Sequence, residues 1–177
     1  CGRCDQLNSK ANYDLSQFIL NRKNKYYPKD MKIVAISHWI KDQAKVSHIL
    51  KDFDIRMISN NINTDEFFPV DKSLAKKILG IKTEKKIILV GAADLSDPWK
   101  GFGNFLEAAV LLDNSKYFLC TFGRVDNSVI KSLGFEYKNF GFLNDNISLR
   151  LLYSSANVFV APSIADSFGK TLAESMA

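Results

Sequence analysis

The chain has 177 residues, of which 46% are hydrophobic and 24% are charged. This length fits one compact domain or parts of two, and the composition is typical of a folded protein rather than a disordered one. No apolar run approaches the roughly 18 residues that a membrane-spanning helix needs. The polar first ten residues do not form a signal peptide and do not begin with Met, so we expect sequence to be missing upstream.

Charge is distributed unevenly along the chain. Residues 1–90 hold 17 Lys and Arg against 10 Asp and Glu, whereas residues 91–177 hold 7 against 9. A basic half favours contact with an anionic surface such as lipid headgroups or a phosphorylated acceptor, although solvated Lys-rich helix faces give the same composition. The clustered Arg and aromatic residues typical of nucleic-acid binding are absent, so we expect no nucleic-acid partner.

The three cysteines suggest neither a metal site nor a disulfide framework. Cys1 and Cys4 form half of a zinc site, and no second pair follows. Cys120 lies in an apolar run and is interpreted as a small buried hydrophobic residue. Scattered cysteines favour a reducing compartment, so we expect a cytoplasmic protein without a bound metal.

In chain order, the first predicted elements lie between residues 32 and 63. An apolar run predicts a strand at 32–37, and the next apolar run predicts another at 55–59. A helical pattern lies between them at 39–50, with Ser37 placed to cap its start. The Asn-rich stretch 60–63 is typical of a turn.

The middle of the chain continues the alternation of helices and strands. A helix is predicted at 72–79, closed by Gly80, and a near-continuous apolar run predicts a buried parallel strand at 86–90. An amphipathic helix follows at 102–112, and another strand follows at 117–122.

The last predicted elements are shorter. A helix at 125–133 precedes a short strand at 137–140, and Asp145 is placed to cap a helix that runs to 154. A strand at 158–161 then leads through a Pro-Ser turn to a final helix at 169–177.

Repeated strand–loop–helix units predict an α/β fold with Rossmann-like, mostly parallel sheets and helices on both faces. Ligands of such sheets bind beyond the carboxyl ends of the strands. In this chain, those positions are the loops after Val90, Phe122, Phe140 and Ala161.

The last seventeen residues, APSIADSFGKTLAESMA, concentrate the candidate ligand-binding groups. Gly169 allows close backbone approach, and the free amides of Gly169, Lys170 and Thr171 at a helix start suit a phosphate. Asp166 and Glu174 flank this position, and carboxylates accept hydrogen bonds from sugar hydroxyls. The alternative is a helix cap at Asp166 and a surface carboxylate at Glu174.

This segment resembles the signature of retaining glycosyltransferase family 4, which has the two-domain GT-B fold. The family carries a P-S…E-x-F-G…E-A-M-A pattern with seven residues between its acids, and Asp166 and Glu174 have that spacing. Asp166 is one methylene shorter than the usual Glu, and Ser175 replaces the usual Ala. The resemblance implies that Asp166 contacts the donor sugar and that Glu174 contacts the ribose, both within the catalytic site.

Further motifs extend the resemblance in the same order. They are ISHW at 36–39 (S-x-W), ISNNIN at 58–63 (I-P-N-G-I-D), WKGF at 99–102 (K-G), FGFL at 140–143 (G-x-L/V) and YSSANV at 153–158 (Y-x-x-A-D-V).

The K-G motif implies that Lys100 binds the donor pyrophosphate and is the third catalytic residue. The family's usual upstream Gly-Arg reads Gly91-Ala92, so Arg124 is the candidate for the missing cation. A solvated loop lysine and a surface arginine are the alternatives.

Three apolar residues complete the donor-binding set. The resemblance implies that Phe142 and Leu143 back the nucleotide base, and Phe168 lies beside the phosphate segment. Packing in the core is the alternative for all three.

The resemblance implies two domains with different roles. Residues 1–66 would form the C-terminal part of an acceptor-side Rossmann-like domain, and residues 67–177 a donor domain truncated at its C-terminus. We expect the fragment alone to be inactive. We expect the full-length parent to be a hexosyltransferase that moves a sugar, with retention, to a saccharide or lipid-linked acceptor.

The resemblance also implies a setting and a set of partners. The expected donor is a nucleoside diphosphate sugar, without a cofactor or metal, in bacterial cell-surface polysaccharide or glycoconjugate synthesis. The expected location is the cytoplasm, with peripheral contact at the inner face of the membrane. Alternatives are a non-catalytic Rossmann-like nucleotide-binding module or degenerate transferase relative, and a GT-B epimerase or phosphorylase.

Three geometric expectations follow from these assignments. A helix should begin within two residues of Gly169. Asp166 and Glu174 should open on one cleft. Neither carboxylate should be held in a tight salt bridge.

Overall fold

The structure, a computed structural model, describes all 177 residues and divides into two compact units, Cys1–Asn60 and Asn61–Ala177. The boundary predicted after residue 66 lies inside the second unit. The acceptor and donor roles of the two parts stay predictions. No helix combines the length and the apolar character that crossing a membrane requires.

The first unit contains a two-stranded parallel sheet, β1–β2. In chain order its elements are a 3₁₀ turn at Asp5–Leu7, α1 at Leu15–Tyr26, β1 at Lys32–Ala35, α2 at His38–Val46 and β2 at Asp54–Met57.

The caps of two helices in this unit explain where they begin. Ser37 caps α2 as predicted, because its Oγ accepts the Ile40 amide at 3.2 Å. The predicted elements omit α1, whose start is fixed by Asp14 through the amides of Ser16 and Gln17 at 2.9 and 3.2 Å. The helix buries no residue fully, so it lacks the strong apolar stripe that marks a helix in sequence.

The second unit contains a four-stranded, fully parallel sheet in the order β5-β4-β3-β6. Its strands are β3 at Lys86–Asp94, β4 at Tyr117–Arg124, β5 at Glu136–Asn139 and β6 at Val158–Val160. Its helices are α3 at Lys72–Ile78, α4 at Phe102–Ala109, α5 at Asn127–Ser132, α6 at Asn146–Ser155 and α7 at Lys170–Ser175, with a 3₁₀ turn at Pro98–Lys100.

The core of the second unit lies on both faces of this sheet. Along β3, Ile88 and Val90 pack into one buried cluster, whereas Ile87 and Leu89 pack into the other, because successive side chains of a strand point to opposite faces. The first cluster includes residues of α4 and α5, and the second includes Leu152 of α6. The predicted α/β fold with parallel sheets and helices on both faces is therefore confirmed.

Two strands run further than their apolar patterns predicted. β3 reaches Asp94 and β4 reaches Arg124, and these two residues are paired across a register irregularity that starts at Gly91. Gly123 allows β4 to lie this close to β3, since it has φ +97° and any Cβ there would overlap the Ala92 carbonyl.

Two helices end at least three residues earlier than predicted. α2 stops at Val46 rather than at residue 50, because Ser47 turns to an extended backbone and its Oγ accepts the amides of Ile49 and Leu50. α4 stops at Ala109 rather than at residue 112, where the chain tightens into turns of i to i−3 hydrogen bonds.

Candidate functional site

Two loops at the carboxyl edge of the second sheet are joined directly. The loop after β3 holds the 3₁₀ turn, which begins where Asp97 accepts the Trp99 amide at 3.0 Å. The Trp99 carbonyl in turn accepts the amide of Ile164, in the loop after β6, at 2.9 Å. Because β3 and β6 are adjacent and parallel, this bond fixes the two loops against each other.

Gly101 allows the close approach of these loops. It has φ +64°, a left-handed conformation that favours glycine, and a Cβ at this position would overlap the carbonyl oxygen of Pro162. The glycine of the K-G motif is therefore needed for the backbone, next to the lysine that carries the charge.

Lys100 and Asp166 meet across the joined loops. The Lys100 Nζ lies 3.0 Å from the Asp166 Oδ2, and the two side chains are 29% and 33% exposed. The other carboxylate oxygen accepts the amides of Gly169 at 3.2 Å and Phe168 at 3.5 Å. The expectation that Asp166 lies outside a tight salt bridge is wrong, because one of its carboxylate oxygens accepts amides of its own loop and the other pairs with Lys100.

This contact changes the electrostatics of Asp166. Partial burial raises the pKa of Asp166, but the hydrogen bonds from Lys100 and the Gly169 amide outweigh burial and leave it below its usual value. The carboxylate is therefore a stable anion beside a cation at the edge of the sheet.

The final helix begins where it was expected. α7 starts at Lys170, directly after Gly169, which has φ +77°. Phe168 is half-buried, Thr171 is half-buried and the Lys170 side chain is 70% exposed. The phosphate role of the amides at Gly169, Lys170 and Thr171 stays a prediction.

Glu174 is buried, with 5% of its side chain exposed. Its Oε1 lies 3.5 Å from the Lys170 Nζ, and its Oε2 accepts the Tyr153 hydroxyl at 3.2 Å. It lines a cavity of about 270 Å³ together with Phe67 and Arg150, and neither Asp166 nor Lys100 lines this cavity. The surface interpretation of Glu174 is therefore wrong, and, contrary to expectation, Asp166 does not share the cavity of Glu174. The expectation that Glu174 lies outside a tight salt bridge holds, because Lys170 is 3.5 Å away and its side chain is mostly exposed.

Arg124 and Phe142 are brought together at the ends of β4 and β5. The Arg124 guanidinium carbon lies 5.3 Å from the Phe142 ring centroid, a cation–π distance, and both side chains are exposed. Leu143 packs against the buried cluster on one face of the sheet instead. Contact of Phe142 and Leu143 with a base, and of Arg124 with a phosphate, stays a prediction.

Tyr153 is the site residue that received no role from the sequence. Its motif, Y-x-x-A-D-V, placed it on a predicted helix, and its half-buried ring lies 5.3 Å from Phe159 and 6.1 Å from Phe122. A Tyr at the inner face of a helix needs a hydrogen-bond partner when buried, and that requirement is the signal that could have led to Glu174.

No three side chains of His, Cys, Asp or Glu meet in an arrangement that could hold a metal ion. Cys120 is buried, and burial raises its pKa to about 12, so it stays a thiol. The expectation that the protein needs neither a metal nor a cofactor stays a prediction.

Solved structures with similar folds include three bacterial proteins. A glycosyltransferase from Rickettsia africae ESF-5 shares 22% identity (TM-score 0.71), with 92% of this chain and 46% of that chain covered. Sucrose-phosphate synthase from Thermosynechococcus elongatus shares 20% (TM-score 0.72; 97% and 44% covered). Anabaena Alr3699/HepE in complex with UDP and glucose shares 19% (TM-score 0.62; 90% and 45% covered).

These likenesses show that the chain has the fold of GT-B glycosyltransferases, and it spans less than half the length of each of the three proteins. No curated protein matches the sequence. The sequence model described as "Glycosyl transferases group 1" matches residues 71–177, which include both joined loops. Since this match covers more than half of the chain, the chain belongs to the glycosyl transferases group 1 family.

Proposed function

We propose that the second unit is the donor-binding part of a glycosyltransferase that transfers a sugar from a nucleoside diphosphate sugar to an acceptor. The observation that carries this proposal is the Lys100–Asp166 pair on two joined loops at the carboxyl edge of a parallel sheet. Ligands of such sheets bind at this edge. The family match covers both residues.

The pair has the chemistry that glycosyl transfer needs. The reaction releases a nucleoside diphosphate, and a fixed cation beside the leaving group stabilises its developing charge. Lys100 supplies that cation, held in place by the 3₁₀ turn and by Asp166. Both side chains are partly exposed, so a diphosphate can approach Lys100 and an acceptor-facing sugar can approach Asp166.

The proposed donor is supported by one of the similar structures. Anabaena Alr3699/HepE was solved in complex with UDP and glucose. Within this proposal, Arg124 acts as a second diphosphate cation and the segment at Phe168–Thr171 faces the phosphates. Phe142 and Leu143 line the base side, and Glu174 contacts the ribose.

The finer parts of the proposal concern the whole protein. We infer that transfer retains the anomeric configuration and that the acceptor is a saccharide or lipid-linked saccharide of bacterial cell-surface synthesis. Residues 1–66 serve the acceptor side. We place the protein in the cytoplasm, at the inner face of the membrane, and without a metal or cofactor.

A second candidate is a degenerate relative that binds nucleotides without transferring sugar. Two features favour it. Ala92 lacks the charge that the family usually places there, and Asp166 already neutralises Lys100 at 3.0 Å.

The experiment that separates the two candidates uses the full-length protein and a panel of UDP-, GDP- and ADP-sugars. Thermal shift identifies the nucleotide that binds, and release of the nucleoside diphosphate with an added saccharide acceptor measures transfer. Binding with acceptor-dependent release supports the transferase. Binding without release supports the degenerate relative, and the absence of any shift contradicts both.

A further inference from the structure

Tyr153 and Glu174 form a contact between two helices of the second unit. The Tyr153 hydroxyl on α6 donates to the Glu174 Oε2 on α7 at 3.2 Å. The one charged group within salt-bridge distance of this carboxylate is Lys170, whose Nζ lies 3.5 Å from Oε1 and whose side chain is 70% exposed. The better-fixed of the two partners is therefore the tyrosine.

The tyrosine ring is held on three sides by aromatic residues. Ring centroids of Phe159, Phe122 and Phe67 lie 5.3, 6.1 and 6.3 Å from that of Tyr153. Burial, followed by the charge and the hydrogen bond of Glu174, raises the pKa of Tyr153 above its usual value. The hydroxyl therefore keeps its proton, and the packed ring aims it at one carboxylate oxygen.

A buried carboxylate depends on such a donor. Only 5% of the Glu174 side chain is exposed, so water cannot replace a lost partner fully. Arg150 and Lys72 line the same cavity, but neither makes a salt bridge with Glu174. Without the tyrosine hydroxyl, nothing on α6 would fix the rotation of the carboxylate.

We propose that Tyr153 is a positioning residue for donor binding: its hydroxyl holds the Glu174 carboxylate in the orientation that receives the nucleotide ribose. This inference rests on the proposed function, in which Glu174 contacts the ribose. It assigns a role to the tyrosine of the Y-x-x-A-D-V motif and connects the chain around Phe67 to the donor site through one ring.

The test replaces Tyr153 by Phe in the full-length protein, which removes the hydroxyl and keeps the ring. Calorimetry with UDP, GDP and ADP measures nucleotide affinity, and donor kinetics give KM and kcat. Loss of the contact that orients a binding carboxylate is expected to weaken nucleotide binding and raise the donor KM by about tenfold, comparable to the loss of a residue that orients a ligand-binding side chain. kcat at saturating donor should change by less than about twofold, because the lost contact acts on binding.

The matched control is Tyr137→Phe. Tyr137 lies on β5 and packs against the other buried cluster, and its hydroxyl makes no hydrogen bond to Glu174. This variant should bind the nucleotide like the wild type. Thermal unfolding of both variants shows whether a change in affinity merely follows a change in stability.

A double-mutant cycle with Glu174→Gln tests whether Tyr153 acts through Glu174. Tyr153→Phe should cost affinity in the wild type and less than about twofold in the Glu174→Gln background, since coupled residues are not additive. Unchanged affinity of Tyr153→Phe, or an equal loss in both backgrounds, would overturn the inference.

These experiments distinguish failure of the Tyr153 inference from failure of the ribose role of Glu174. If Glu174→Gln weakens the nucleotide and Tyr153→Phe does not, the positioning role is wrong and the proposed function stands. If the wild type binds none of the three nucleotides, or Glu174→Gln binds like the wild type, the ribose role of Glu174 is wrong and the inference is overturned with it.

Discussion

Lys100 has one charged partner, Asp166, and the remaining exposure of its side chain leaves it able to take another. An internal carboxylate at 3.0 Å keeps the lysine extended toward the loop after β6. Within the proposed function, an incoming diphosphate would meet a cation that is already placed, and part of the entropic cost of ordering the lysine side chain would be met before binding.

We expect Lys100→Ala to lower kcat/KM for the donor by about tenfold to a hundredfold in the full-length enzyme. The reason is the loss of a charge-assisted hydrogen bond, which is worth about 1.5–3 kcal/mol. Steady-state kinetics with the donor varied measure this change in kcat/KM. Lys131→Ala on α5 is the control, because that exposed lysine forms no salt bridge in this structure. Equal kinetics for the two variants would show that Lys100 is only a solvated loop residue.

Asp166→Asn should change the acid stability of the protein. The pKa of Asp166 is below its usual value, so the ionised group stabilises the fold above the unfolded pKa, and this contribution is lost as pH falls through the folded pKa. We expect wild type to be more stable than Asp166→Asn at pH 7, with the difference shrinking as pH falls below about 3.9. Urea unfolding at several pH values measures it, and a difference that does not vary with pH would exclude a stabilising ion pair.

The sequence predicted the loops and the helix start of the candidate site better than it predicted the contacts of their side chains. The spacing of Asp166 and Glu174 and the glycine after Phe168 are local patterns, and the helix start at Lys170 followed from them. The burial of Glu174 depends on how α6 packs on α7, a long-range arrangement that no local pattern contains. The choice of Asp166 as a partner for Lys100 likewise requires two loops 66 residues apart to meet.

At the scale of elements, the 3₁₀ turn at Pro98–Lys100 depends on the glycine that follows it. Gly101 combines a positive φ with contact to the Pro162 carbonyl, whereas Gly103, the second residue of α4, has open space where a Cβ would lie. The backbone therefore requires glycine at position 101, whereas position 103 has room for a side chain.

We expect Gly101→Ala to destabilise the protein by at least about 1 kcal/mol, because alanine is strained at positive φ and its Cβ has no room. Gly103→Ala is the matched control and should be neutral or stabilise by about 0.4–1 kcal/mol, because alanine lowers the entropy of the unfolded chain and its Cβ would meet open space. Urea denaturation measures both. A Gly101→Ala variant as stable as Gly103→Ala would show that the two loops are not held together.

The sequence located most elements and few of their ends. Apolar runs predicted the central strands β3 and β4, because burial on both faces leaves no polar alternation. The extension of β3 to Asp94 comes from pairing with Arg124 across the irregularity, and α1 is defined by its Asp14 cap rather than by a buried stripe. Both depend on hydrogen bonds that the hydrophobic pattern does not record.

The two units differ in net charge. Cys1–Asn60 contains 11 Lys and Arg and 6 Asp and Glu, whereas Asn61–Ala177 contains 13 of each, so the net charge of +5 belongs to the first unit. The sequence also showed an uneven charge, but it was divided at residue 90. Residues 61–90, with six Lys against four Asp and Glu, were therefore counted in the basic half although they belong to the second unit. The long-range contacts that define the units were needed to assign the charge.

We expect the full-length protein to bind vesicles containing phosphatidylserine and to leave neutral phosphatidylcholine vesicles in solution. The basic first unit provides the attraction, which salt screens over about 10 Å at 0.1 M ionic strength. Co-sedimentation at 0.05 and 0.5 M salt measures it. Charge reversal of Arg22, Lys23 and Lys25 on α1 should weaken sedimentation more than reversal of three lysines in the second unit (Lys77, Lys82 and Lys131). Equal binding to both vesicle types would contradict an electrostatic membrane contact.

The hydrogen bond between the Trp99 carbonyl and the Ile164 amide places a fluorescent side chain at the joined loops. The Trp99 indole is 53% exposed beside Lys100, and the other tryptophan, Trp39, belongs to the first unit. A ligand in the joined loops is expected to change the polarity around Trp99, but the emission of Trp39 overlaps that of Trp99 and masks part of the change. With Trp39→Phe, the emission spectrum reports the state of this edge of the sheet alone, without a label and in the same sample used for kinetics.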